Sequence, residues 1–221
     1  EFADKPLLEI IKKGNEIYRK IADKPDTFQP DTAILYDQVS AFYWAPKGDL
    51  TGRFGKWQAH YTMQSGVPYD IYYLDDFLAH PDRWNYKTII IYSALRMTPE
   101  RYRALEKLKA GNRTLVWLYP AGILDGVKKS AELMGIGIKR DGKELLELEA
   151  RPGSPLARNL EGCLGVASYY NYACYLGGGM EHRMDLPRFV VDDPNAEIVG
   201  NYISDGKPGI AVRKYPEWTS I

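Results

Sequence analysis

Hydrophobic positions change their period several times along this chain, and each change marks an element. Leu7, Ile10, Ile11, Ile17, Tyr18 and Ile21 recur at three- and four-residue spacing with Lys and Glu opposite them, which predicts an amphipathic helix ending before Lys24-Pro25. A turn is expected at Gln29-Pro30-Asp31. Residues 32–36 form a short continuous apolar run, the pattern of a parallel strand covered on both faces. Helical spacing returns with Leu50, Phe54, Trp57 and Tyr61 and stops at Ser65-Gly66. Residues 69–74, 87–92 and 114–119 read as three further strands. Between the last two, Thr98-Pro99-Glu100 offers a capping hydroxyl and a proline where a helix can begin, with Tyr102, Leu105 and Leu108 inward and Gly111 closing the segment. Pro120-Ala121-Gly122 leads to a helix around Val127 to Met134.

Strands alternating with helices through short turns predict an α/β fold with a mostly parallel, doubly wound sheet. Such sheets bind ligands beyond the carboxyl ends of their strands, where the strand order reverses. Asp37, Gln38, Ser40, Asp75, Asp76, Ser93, Arg96 and Tyr119 stand at those ends and form the candidate pocket. The loop from Asp37 to Ser40 follows the first strand and has two readings, ligand contact or ordinary turn chemistry. Asp75 and Asp76, as adjacent residues, point to different sides and are not a pair of glycosidase carboxylates; capping the next helix or turn is their plainer role. The second half is less regular. Short strands are expected at residues 136–139 and 145–148, with a hairpin around Asp141-Gly142, and a short helix at 154–160. Strand character returns at 188–191, 196–202 and 209–214, the last two joined as a hairpin through Ser204-Asp205-Gly206-Lys207.

Charge narrows the partners. Lys plus Arg and Asp plus Glu both number 29, so there is no basic excess of the kind a nucleic-acid binder uses to displace counterions, and no case for an anionic membrane. No apolar run approaches the roughly 20 residues that span a bilayer, and the first residues are no signal peptide, so a soluble protein of open compartment is expected. Cys163 and Cys174 are compatible with a disulfide or with two free thiols. The three histidines are scattered and no Cys/His spacing suits zinc, so neither metal nor cofactor is expected. Seventeen Tyr and five Trp against six Phe suit an interface or a carbohydrate-facing surface, and equally a plain core.

The order of four segments carries a resemblance: Asp31 to Asp37, Gly66-Val67-Pro68-Tyr69-Asp70, Tyr86 to Ile91, and Gly111 to Gly122. Together with the closing stretches 197–202 and 207–214, they resemble the class I glutamine amidotransferase-like domain that follows the catalytic barrel in bacterial β-galactosidases and related glycoside hydrolases, often called the trimerisation domain. The resemblance implies a flavodoxin-like three-layer sandwich with extra hairpins in its C-terminal half, and a role in assembly. It implies as partners the catalytic barrel of a parent protein, neighbouring subunits and, as a further candidate, carbohydrate. Residues 1–29 are then a connector helix and 30–221 the domain, expected to be cut short because the strand-like residues 217–221 stop without a closing helix.

Catalysis in that superfamily uses a cysteine on a sharp turn after a buried strand, where backbone N–H groups can hold an oxyanion. Matching Ala121-Gly122 to the small residues after that nucleophile puts Pro120 at its position, and proline has neither nucleophile nor N–H. Two alternatives stay open. One is a free-standing small-molecule or carbohydrate-binding domain using the strand-end pocket. The other is a cysteine hydrolase built on Cys163 and His182, although no convincing strand precedes Cys163.

Overall fold

Five short strands carry the centre of the molecule, and their order follows from how each apolar run is covered. The computed structural model describes residues 5–22, 29–40, 66–92, 94–144, 147–155, 157, 163–166 and 186–221. Strands β1 (Thr32–Tyr36), β2 (Asp70–Tyr73), β3 (Thr88–Tyr92) and β4 (Arg113–Leu118) run parallel in the order β2-β1-β3-β4. The fifth parallel strand comes from the far end of the chain: β11 (Trp218–Ser220) pairs with β4 through Trp218↔Arg113 and Ser220↔Leu115. The order reverses between β1 and β3, which is the arrangement of a flavodoxin-like sheet.

Helices α2 (Leu74–Ala79), α3 (Pro99–Leu108) and α4 (Val127–Met134) follow β2, β3 and β4. The connections from β2 to β3 and from β3 to β4 step in the same direction across the sheet, so right-handed crossovers place α2 and α3 on one face. Helix α4, which leads out of this sheet to the next strand, packs Leu133 and Met134 into the same layer. The core lies in that layer. Ala33, Leu35, Ile89, Ile91, Leu115 and Trp117 point down from alternate strand positions onto Leu74, Phe77, Leu105, Leu108 and Leu133. On the opposite face Ile34 is buried and Ile90 and Val116 are half-buried. The helix expected around Leu50 to Tyr61 lies outside the described residues, as does most of the short helix expected at 154–160.

Helix α3 begins where its sequence requires. Thr98 has extended backbone and its hydroxyl accepts from the Arg101 N–H at 3.3 Å, while Pro99 occupies the first helical position. Thr98→Ala is expected to cost about 1 kcal/mol, read as a lowered unfolding midpoint in urea. Helix α4 ends on Gly135, whose φ of +70° suits the left-handed cap.

The C-terminal half widens the sheet. Strand β10 (Pro208–Lys214) pairs antiparallel with β11 at its end and with β9 (Glu197–Tyr202) at its start, and β6 (Glu147–Ala150) and β7 (Cys163–Val166) extend the sheet beyond β9. The β9–β10 hairpin forms as expected, with Tyr202 N–H donating to the Lys207 carbonyl. The hairpin expected at Asp141-Gly142 does not. Strand β5 (Ile138–Glu144) runs straight through that dipeptide and pairs along its length with β8 (Leu186–Val191). The turn-forming residues sit instead at a break in register between Arg140 and Lys143, where left-handed Gly142 suits a bulge as well as it would a turn.

Helix α1 (Lys5–Ala22) forms where the periodicity places it, and none of its residues is buried. Among the described residues no helix is long and apolar enough to cross a membrane.

Candidate functional site

At the carboxyl end of β1 the chain turns immediately, and Asp37 uses both carboxylate oxygens to hold the turn. One accepts from Val39 N–H at 3.1 Å and the other from the Ser40 hydroxyl, so the Asp37–Ser40 loop does form a side-chain-closed turn. Ser40 is itself buried and accepts from Leu95 N–H at 2.7 Å, which ties the end of β1 to the loop after β3. Asp37 is only 2% exposed, so its charge needs a partner.

That partner is Arg101, in the first turn of α3 and 6% exposed. Its guanidinium meets Asp37 through two bonds of 3.1 and 3.2 Å, and Asp75 through two more of 2.6 and 2.7 Å. A fifth bond reaches the Arg96 carbonyl at 3.1 Å. Every N–H of the fork is used, in two bidentate pairs and one carbonyl contact. Burial works against this positive charge, but the bonds and charges of Asp75 and Asp37 outweigh it and hold the guanidinium above its ordinary pKa. The strand-end position that in a ligand-binding sheet receives substrate is here filled by the protein's own side chain.

The structure therefore brings together Asp37, Ser40, Asp75 and the backbone of Arg96. Gln38 and the Arg96 side chain lie exposed at the same edge, and Ser93 lies outside the described residues. Arg101 was not among the sequence candidates. A signal existed: in a βα unit the first turn of the helix lies at the carboxyl end of the preceding strand, and Arg101 follows Thr98-Pro99-Glu100 directly.

Tyr119 goes elsewhere. It has a φ of +74°, a strained value for a non-glycine residue, and its hydroxyl donates to the Pro187 carbonyl at 2.9 Å. Its ring meets Phe189 edge-on. Burial, and secondarily Tyr202, raises the phenol well above the usual tyrosine value, so Tyr119 remains a neutral donor. The residue bent at the end of β4 is thus Tyr119, with Pro120 following. Two backbone N–H groups after this turn are occupied, Gly122 donating to the Ala94 carbonyl at 2.7 Å and Leu124 to Leu95 at 3.0 Å. They tie the turn to the loop after β3 and are not available to an oxyanion.

Cys163 begins β7, and His182 lies outside the described residues. Among the described residues no group of three or more His, Cys, Asp or Glu side chains is placed to hold a metal ion. Among the described residues, two open cavities lie away from the carboxyl ends of the parallel strands, the first at their amino ends. One of about 290 Å³ opens beside Asp31, Asn85 and Arg113, and one of about 390 Å³ beside Glu132, Asp192, Arg213 and Tyr215.

A second charged cluster joins the β5–β8 ribbon to the β9–β10 turn. Arg188, 5% exposed, donates to the Asp141 carboxylate, to the Asp141 carbonyl at 3.1 Å and to Asp205 at 2.8 Å, and Lys207 reaches Asp141 at 2.9 Å. The bond from Arg188 is the main reason the Asp205 pKa falls to about 2, and bonds from Lys207 and Arg188 lower that of Asp141. Carboxylates depressed in the folded state stabilise it in full above their unfolded values and lose that contribution as pH falls through the folded ones. The melting temperature is expected to hold down to roughly pH 5 and to fall steadily between about pH 4 and pH 2. Arg188→Gln should flatten that acid limb, as measured by thermal unfolding across the range.

No protein-family model matches this sequence, and no curated protein matches it in sequence. Solved structures do match its shape. Gan42B, a GH42 β-galactosidase from G. stearothermophilus, superimposes with a TM-score of 0.61 at 15% identity, over 100% of this chain and 31% of that one. The exo-β-1,4-mannosidase Op5Man5 from Opitutaceae bacterium strain TAV5 gives 0.54 at 15% identity, over 95% of this chain and 34% of that one. This chain has their fold. It spans about a third of the length of these two enzymes. A thua-like protein from Bacteroides uniformis gives 0.50 at 14% identity, over 81% of this chain and 71% of that one.

Proposed function

We propose that this chain is a non-catalytic accessory and assembly domain of a larger, β-galactosidase-like glycoside hydrolase. The carrying observation is the closed cluster around Arg101: the edge where a doubly wound sheet binds its ligand has no unfilled donor on that guanidinium and no exposed Asp37. The occupied Gly122 and Leu124 N–H groups support the same reading at the β4 turn, where Tyr119 or Pro120 stands in place of a nucleophilic cysteine. The matches to stretches covering 31% and 34% of two sugar-cleaving enzymes supply the parent class, with galactosides and mannosides as the substrates to try first. In this reading residues 1–29 connect to a catalytic barrel, 30–221 form the domain, and neighbouring subunits meet it.

The test compares the 221-residue chain with the full-length polypeptide encoded by its gene on nitrophenyl β-galactoside and β-mannoside. The chain alone is expected to cleave neither. The full-length polypeptide is expected to cleave one of them, with kcat unchanged within twofold by Gln38→Ala or Asp75→Asn. Turnover by the 221-residue chain, abolished by Cys163→Ser, would replace this reading with a cysteine hydrolase.

The thua-like match, which covers most of that chain, favours a second reading in which the fold acts alone as a binder. Saturable binding of galactose or mannose to the 221-residue chain, lost on Gln38→Ala, would establish it.

A further inference from the structure

Helix α1 presents an apolar face that the described residues do not bury. Ile10, Ile17, Tyr18 and Ile21 are between 54% and 68% exposed. At 3.6 residues per turn they lie on one stripe with Ile11, and the polar face is ordered as well. Lys12 and Arg19 border the stripe on one side and Lys13 and Lys20 on the other, while Glu9 and Glu16 occupy the middle of the opposite face. Five basic residues against two acidic ones leave the helix cationic, and four of the five basic residues lie toward the rims of its apolar face.

Gly14 says what kind of surface covers that face. It stands in the middle of an 18-residue helix, one turn from Ile10 and one turn from Ile17 and Tyr18. Glycine weakens a helix interior relative to alanine, so its presence needs a reason. None exists among the described residues, because a Cβ placed on Gly14 meets nothing of them within 4 Å. A lipid surface would gain nothing from a missing side chain at that point. A protein element crossing close to the helix backbone would.

We infer that α1 docks by this face onto another segment of the same full-length polypeptide, crossing a helix or strand at Gly14, in an apolar groove whose rims carry carboxylates. This rests on the accessory-domain reading and names the surface by which the domain is held. The match to Gan42B spans 100% of this chain, α1 included, and 31% of that one, so the stretch aligned with α1 lies inside a longer chain.

Hydrogen exchange followed by mass spectrometry tests the inference. In the 221-residue chain, residues 5–22 are expected to exchange at least tenfold faster than in the full-length polypeptide. Gly14→Leu in the full-length polypeptide should return them to the fast rate while leaving β1 and β3 protected, and Lys13→Glu with Arg19→Glu should do the same. Equal exchange in the two forms overturns the inference yet leaves the accessory-domain reading standing, since that reading fails on the turnover assay. Protection of 5–22 in the 221-residue chain by phosphatidylserine vesicles, or by raising its own concentration, would overturn it in favour of a lipid surface or a second copy.

Discussion

Replacing Arg101 with methionine is expected to remove about 3–5 kcal/mol of stability, which for a domain of this size lowers the melting temperature by roughly 10 °C. The size of the effect comes from what is left behind. Methionine fills much of the same volume, but Asp37 stays 2% exposed, with only the Val39 N–H and the Ser40 hydroxyl to satisfy a full negative charge. Asp75 suffers less because its side chain is 53% exposed and water can replace the lost bonds. Adding Asp37→Asn to the methionine variant should recover about half of the loss, because the orphaned charge goes while the turn keeps an acceptor. Arg101→Lys should fall between, since a point charge cannot serve two carboxylates and a carbonyl at once. Urea denaturation measures all four proteins. A loss below about 1 kcal/mol for Arg101→Met would mean that the cluster behaves like a surface ion pair and does not lock the strand ends.

Trp218→Ala is expected to cost about 3–5 kcal/mol, a third or more of the stability of an ordinary domain. Trp218 is buried at the start of β11, the strand that joins the parallel part of the sheet to its antiparallel wing. Its ring stacks on Tyr215 at 4.6 Å with an interplanar angle of 3°, and Lys109 lies over it at 5.2 Å. The stack rests on Gly135, where even a Cβ would come within 2.8 Å of the indole. Tyr215 closes the contact by donating its hydroxyl to the Gly135 carbonyl. Further along β11, Ser220 receives the Trp117 indole N–H at 3.1 Å and donates to the Met134 carbonyl. Alanine at 218 empties the centre of this arrangement, and deleting 218–221 also strips β4 of its partner on the side away from β3. Near-UV circular dichroism and thermal melting should report the first as a weakened fold and the second as no cooperative transition. A Trp218→Ala protein that melts within about 3 °C of the parent would show that β10 holds the sheet without β11.

The elements that were legible were those whose residues answer to local chemistry. β1, β3 and β4 are continuous apolar runs because a parallel strand is covered on both faces. α3 starts at Pro99 because Thr98 and Pro99 suit a helix start whatever lies around them. Gly135 ends α4 for the same reason. The strand-end candidates Asp37, Ser40, Asp75 and Arg96 were legible from topology alone, since the carboxyl ends of parallel strands share one edge.

What could not be read locally depends on partners far away in the chain. Arg101 lies in a helix among other charged residues, where an arginine reads as a solvated face; only the packing of α3 against the sheet buries it between Asp37 and Asp75. Asp141-Gly142 has the chemistry of a tight turn, and the pairing with β8, together with Arg188 on the Asp141 carbonyl, makes it a bulge. Residues 218–220 hold one large apolar side chain, too few to announce a central strand. Their place between β4 and β10 is decided by pairing across about a hundred residues, from Trp218 to Arg113. Period, caps and turn residues thus determined which segments became strands and helices on the helical side of the sheet. Whether the edge of that sheet is an open pocket or a filled one was decided by tertiary structure, because burying one charge obliges the fold to bring another to it.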